Sequence, residues 1–272
     1  MPLAVWRLTV AYSLMMAGTS LMVLLAGIIG QAFAPSADLA TLPIALIVVG
    51  LAASTLPTGR LLARFGRRRV FITYGLLAVA AALIAMQSLV ADTFGGFCAA
   101  AVLMGWSAAA GHQYRFAALE AVPAERAAKA TSVLLFGGIL AAFVGPEIAV
   151  RGRYLLATEY AGSFLLLAFT YLAGIVLISF HSDRTLSASG HGGAGRPLAE
   201  ILRSPVVLVA VGSAALGYGI MSLLMTATPI SMHTHAGHSL EATKFVIQSH
   251  IAAMYLPSLL YAGLHSRWGH RG

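Results

Sequence analysis

Gly59-Arg60-Leu61-Leu62-Ala63-Arg64-Phe65-Gly66-Arg67-Arg68-Arg69 places a tight cluster of arginines between two apolar stretches, 39 to 62 and 70 to 90. An arginine at the centre of a membrane helix costs roughly 2.5 to 3.5 kcal/mol. The cluster therefore stays on one side of a bilayer, and the stretches on either side of it cross. Each is long enough to do so, since a spanning helix needs about 20 mostly apolar residues. Gly59 is expected to let two helices approach closely, and Gly66 to permit the tight turn between them.

Working outward, apolar segments with few charges recur near 8 to 30, 39 to 62, 70 to 90, 94 to 117, 128 to 149, 161 to 180, 206 to 230 and 241 to 262. The chain is 59% hydrophobic and 10% charged, whereas soluble domains carry roughly 25% charged residues. Lipid offers no partner to backbone N–H and C=O groups, and the segments lack the alternation of barrel strands, so all eight are expected to be helical. The longest connection, the Gly/Ser/His-rich stretch from His181 to Pro197, divides the chain into a six-helix bundle (1–180), a linker (181–204) and two further helices (205–272). Ala32-Phe33-Ala34 imitates a signal-peptide cleavage site, but the apolar run before it exceeds the usual 7 to 15 residues, so a retained first span is expected.

Short loops rich in Lys and Arg stay in the cytoplasm. With the N-terminus inside, all basic residues but Arg151, Arg153 and Lys244 fall on the cytoplasmic side. The net charge of +8 resides in these short tracts without interleaved aromatic platforms, which argues against nucleic acid as a partner. Cys98 is the single cysteine and sits in an apolar segment, so neither a disulfide framework nor a Cys-based metal site is expected.

The loop 59–69 resembles the loop between spans 2 and 3 of the major facilitator superfamily: Gly, three residues, an acid, a base, any residue, Gly, any residue, two bases. Gly59, Arg64, Gly66, Arg68 and Arg69 match; the acidic position is Ala63. The resemblance implies a cytoplasmic gate motif whose acid helps latch the gate, and the alanine puts that latch in doubt. Arg267-Trp268-Gly269-His270-Arg271, six spans later, repeats the pattern of Arg64-Phe65-Gly66-Arg67-Arg68, so Arg267, Gly269 and Arg271 are read as its second copy. Two halves related by repetition, with the substrate site between them, are a known transporter architecture. Pro123-Ala124-Glu125-Arg126 resembles the family's loop 4–5 element, and Gly145-Pro146 a remnant of the span 5 motif of proton antiporters. The segments 113–118 and 225–229 resemble a bacterial branch that includes riboflavin transporters. A complete member has twelve spans, so this chain is expected to be a fragment.

Polar groups within spans are functional by default. The cavity candidates are Thr19 and Ser20 on span 1, His112, Gln113 and Arg115 on span 4, Tyr218 on span 7, and Gln248 and His250 on span 8. For each a plainer reading stands beside the functional one: snorkelling for Arg115, an interhelical hydrogen bond for His250, and helix packing for the others. His250 and Glu147 are the candidates for proton coupling, His250 because imidazole titrates near physiological pH. Glu147 also reads as the ion-pair partner of Arg151. His233, His235 and His238 lack acidic or Cys partners and read as a polar loop, so no metal is expected.

An all-α bundle of the superfamily type with about eight membrane helices is therefore expected. Its expected activity is secondary transport of a small organic solute, amphipathic or planar, with no cofactor and as a monomer in the bacterial inner membrane. A sensor or structural protein on the same scaffold is the alternative. A nucleotide-driven pump is disfavoured by the lack of a Gly-x4-Gly-Lys-Ser/Thr loop, and a membrane enzyme by the lack of intramembrane acid–base pairs.

Overall fold

The computed structural model describes residues 1–181, 200–201 and 203–268, with side chains through Leu256. The described residues form helices α1 (Leu3–Phe33), α2 (Leu42–Phe65), α3 (Arg67–Val90), α4 (Phe94–Gly111), α5 (Tyr114–Glu120), α6 (Ala127–Arg151), α7 (Ala161–Ser179), α8 (Pro205–Pro229) and α9 (Leu240–Trp268). Seven segments are long and apolar enough to cross a membrane, and the 29-residue α9 follows them. The eight expected spans are all present, with α4 and α5 sharing the fourth.

Helix α1 is the axis of the bundle. It packs against α6 and α7, while α2 packs against α4 and α3 against both α4 and α7. Its core neighbours include alanines of α3, α4, α6 and α7, with Phe97 and Phe164 meeting edge to face at 5.6 Å. Lipid and side chains are equally apolar, so burial in place of lipid contact gains little. Close backbone approach through small residues supplies the packing instead. On the α2–α4 seam a Cβ at Gly50 would lie 2.2 Å from Val102 O, and one at Gly105 only 2.0 Å from Ile47 O. The α1–α6 seam repeats the device, with Gly145 set against Ala17 O. Gly59 does not share this role: a Cβ there would meet nothing within 4 Å among the described residues. The close approach expected of Gly59 is made instead at Gly50, against α4 rather than α3.

Helix α2 runs on through Arg60 and Arg64 to Phe65, beyond the apolar stretch, since arginine is a good helix former and can snorkel. Gly66, at φ 79°, ends it and starts α3, as the tight turn requires. On the opposite side, the loop between α6 and α7 is built around Arg153. Its Nε donates to Glu159 Oε1 at 2.6 Å, and its guanidinium lies 4.8 Å from the Tyr154 ring centroid and 5.3 Å from that of Tyr160. Tyr160 adopts a left-handed φ of 64° to reach this position, and burial pushes its phenol up to about 12. Arg153→Ala is expected to destabilise the detergent-solubilised protein by about 1 to 2 kcal/mol. A thermal unfolding curve checks this, and an unchanged midpoint would count against the loop's dependence on Arg153.

Candidate transport site

The first six spans and the pair α8–α9 meet along two lines. Helix α8 and the π-helical turn after it touch α1 near the end remote from the arginine hairpin, where a Cβ at Gly27 would come within 2.8 Å of Ile230 Cγ1. Helix α9 lies antiparallel along α6, and three rungs mark that seam. Lys244 Nζ donates to Glu147 Oε2 at 2.9 Å. One turn deeper, Gln248 Nε2 donates to Phe143 O at 3.3 Å. Deeper still, the Tyr255 ring covers Gly138, where a Cβ would lie 2.5 Å from Cε1. The Tyr12 side chain of α1 lies close to that of Tyr255, so α1, α6 and α9 converge there.

Span 4 turns a corner close by. Helix α4 stops at Gly111, His112 and Gln113 carry the turn, and α5 restarts at Tyr114. Gly111 faces the flexible end of Met16, whose Cε lies 2.2 Å from where a Cβ would stand. Tyr114 is 2% exposed, stacks on Phe71 at 4.2 Å with an interplanar angle of 11°, and tilts against Tyr12 at 6.1 Å. The neighbouring arginine projects the other way: Arg115 is exposed, its guanidinium 4.9 Å from the Phe116 ring centroid. The corner thus buries an aromatic stack and presents His112 and Arg115 outward. A small cavity beneath it, lined by Phe71, Tyr74, Ser107 and Tyr114 among others, lies within the first bundle rather than between the two groups.

At the arginine hairpin, Arg67 forms a two-pronged ion pair with Glu120 at the end of α5, Nε lying 2.6 Å from Oε2. Arg64 stands 5.2 Å from the Phe65 ring centroid. Arg68 and Arg69 are exposed. Behind them the Thr58 hydroxyl lies 2.7 Å from Ser54 O and 2.8 Å from the Tyr74 hydroxyl. Donating to the carbonyl, it accepts from Tyr74 and ties α2 to α3. Of the second motif copy, Arg267 lies on α9 beyond the described side chains, and Gly269 and Arg271 fall outside the described residues, as does most of the linker 181–204.

The cavity candidates separate by environment. Thr19, His112 and Arg115 are exposed, Gln113 and His250 half-buried, and Tyr218 is 47% exposed on α8. Ser20 is buried, its Cβ 2.8 Å from where a Cβ at Gly145 would stand, so it packs between α1 and α6. Gln248 is buried with its amide committed to Phe143 O, so it joins helices. Glu147 pairs with Arg151 at 2.7 Å as well as with Lys244. His233 and His235, expected in a loop, lie in a π-helical turn, Ile230–His235, that continues α8, and His233 Nδ1 lies 2.9 Å from His238 O. Sequence reading missed Lys244, Glu120, Tyr12 and Tyr255. For Lys244 a signal existed: one of two lysines in the chain, one turn before Gln248 on the side otherwise poor in bases.

The profile of the Major Facilitator Superfamily matches residues 8–272. The chain belongs to the major facilitator superfamily. It is 35% identical over 265 residues to the riboflavin transporter RfnT of Brucella anthropi, an alignment covering 96% of this chain and 66% of that protein. It is also 32% identical to YdeG, an uncharacterized MFS-type transporter of Bacillus subtilis, over 93% of this chain and 62% of the relative. YddS of the same organism is 29% identical over 93% of this chain. The chain thus spans 62–66% of the length of these two Bacillus relatives and RfnT. As a superfamily member with seven or more apolar helices it is an integral membrane protein of a transporter family, and its resemblance to the branch holding riboflavin transporters is supported.

Proposed function

We propose that this superfamily member works by alternating access as a proton-coupled secondary transporter of a small, planar, amphipathic solute. Residues 1–180 form the first bundle and 205–272 open the second, with 181–204 linking them and the N-terminus in the cytoplasm of a bacterial inner membrane. The observation that carries this reading is the family profile that runs through both groups of helices, over residues 8–272. The α6–α9 seam that joins them sets two polar rungs, Lys244–Glu147 and Gln248–Phe143 O, beside apolar contacts of Ile247 and Ile251, and in this architecture two such bodies rock about a midplane site. The exposed His112 and Arg115 at the span 4 corner, Thr19 on α1 and His250 on the second group supply polar contacts, and the exposed Tyr218 ring supplies a flat face for a ring system. The naming of one relative as a riboflavin transporter points to that class of solute. The protein works as a monomer in lipid, with the solute and protons as its ligands.

The test is uptake of radiolabelled riboflavin, and of a panel of nucleobases, pteridines and hydroxylated aromatics, into proteoliposomes of the full-length protein with and without an inward proton gradient. Gradient-stimulated accumulation of at least one panel member is expected. Flux that equals protein-free vesicles across the panel would leave the sensor or structural reading in its place.

A further inference from the structure

The ion pair between the two groups has an unusual provision. Glu147 on α6 binds Lys244 of α9 at 2.9 Å and Arg151 of its own helix at 2.7 Å. Lys244 binds Glu147 and also Glu241 of its own helix at 2.6 Å. Two acids and two bases therefore form one row, Arg151, Glu147, Lys244, Glu241, in which only the middle contact crosses between α6 and α9. Cutting that contact divides the row into two neutral pairs, Arg151–Glu147 at i,i+4 and Glu241–Lys244 at i,i+3, each at a spacing that suits a helix surface.

This arrangement decides the cost of separation. Breaking a partly buried ion pair is expensive chiefly when it strands a charge, and Lys244 is only 14% exposed at its side chain. Here neither charge is stranded, because each keeps an intrahelical partner already in place. One turn deeper, the Gln248 amide releases a backbone carbonyl rather than a charge when the helices part. Both rungs lie at the end remote from the arginine hairpin, where α1 and α8 also meet.

We propose that Arg151, Glu147, Lys244 and Glu241 form a splitting latch on the side opposite the arginine hairpin: it closes through Glu147–Lys244 and opens by falling into two self-neutralised pairs. This rests on the transporter reading for its purpose but not for its test. The intrahelical partners tune the latch in the opposite sense from the cross pair. Removing Lys244 releases the gate, whereas removing Arg151 or Glu241 leaves one latch partner with only the cross contact and holds the gate shut.

Labelling by a membrane-impermeant maleimide reads this without any solute. In a Cys98→Ser background, Ile251→Cys places a thiol at a buried position of α9 below both rungs. In right-side-out vesicles of the full-length protein, Lys244→Gln is expected to raise its labelling rate about fivefold, the scale of one modest ion pair. Arg151→Gln and Glu241→Gln are expected to lower it by a similar factor. The exchanged pair Glu147→Lys with Lys244→Glu keeps the cross contact but leaves each partner beside a like charge on its own helix, so that opening strands both, and it is expected to label as slowly as Arg151→Gln or more slowly. Equal rates in all variants, or shifts of the same sign for Lys244→Gln and Glu241→Gln, would overturn the latch. Should Ile251→Cys fail to insert, Ile247→Cys reports from the same seam. Riboflavin uptake can fail while the labelling pattern holds, so the two proposals fall separately.

Discussion

Gly105→Val is expected to yield little or no monodisperse protein. A Cβ at residue 105 stands 2.0 Å from Ile47 O and 2.7 Å from Ile47 C, and the facing Gly50 is held equally close to Val102 O. These obstacles are backbone atoms fixed in helical hydrogen bonds, so no rotamer change relieves the overlap. Helices α2 and α4 must part along their whole contact, losing the van der Waals packing that holds helices together in lipid. A loss of about 3 kcal/mol or more is expected, which exceeds the margin of many proteins when added to the stress of extraction. Gly95→Ala is the control, since a Cβ there meets nothing within 4 Å. Detergent size-exclusion profiles and thermal midpoints decide the matter: a Gly105→Val protein as monodisperse and stable as the Gly95→Ala control would refute the account of the α2–α4 seam.

At the span 4 corner, Tyr114→Ala and Arg115→Gln are expected to fail in different ways although the residues are adjacent. The Tyr114 ring is buried between Phe71 and Tyr12, and removing a buried aromatic of this kind costs about 3 to 5 kcal/mol through lost contacts and the cavity left behind. Arg115 is exposed, so its loss is expected to leave the melting temperature within the error of the parent protein while lowering solute flux at least tenfold. Thermal unfolding and proteoliposome uptake, measured on both variants, separate the roles. If Arg115→Gln transports normally, its guanidinium only anchors the helix end at the membrane surface.

Much of the fold was legible because membrane insertion reads composition directly. A run of apolar residues must be helical and must cross, whatever it packs against, and so the spans match the helices to within a few residues. Where the boundaries moved, the cause is local: α2 continues through Arg60 and Arg64 because arginine favours helix and reaches for the headgroups. The corner at His112–Gln113 was not legible, since nothing in Gly111-His112-Gln113-Tyr114 forbids a continuous helix. It falls where the Tyr114 ring packs inward against Phe71 and Tyr12 while Arg115 stays exposed.

The candidate site was less legible because polarity in a sequence does not say where a side chain points. Gln248 and Ser20 look alike as intramembrane polar residues to Thr19 and His112, yet the first two are spent on helix contacts and the others are exposed. Glu120 and Arg67 lie fifty-three positions apart and pair only because α5 ends beside the hairpin. By itself the sequence determined that this chain crosses a membrane as helices, where its arginine hairpin lies and which superfamily it belongs to, since these depend on hydrophobicity and on motifs contiguous in the chain. Only the tertiary structure decided which glycines hold helices together, which polar groups are spent on helix contacts, and that Lys244 meets Glu147, because each of these depends on how one helix is rotated against another.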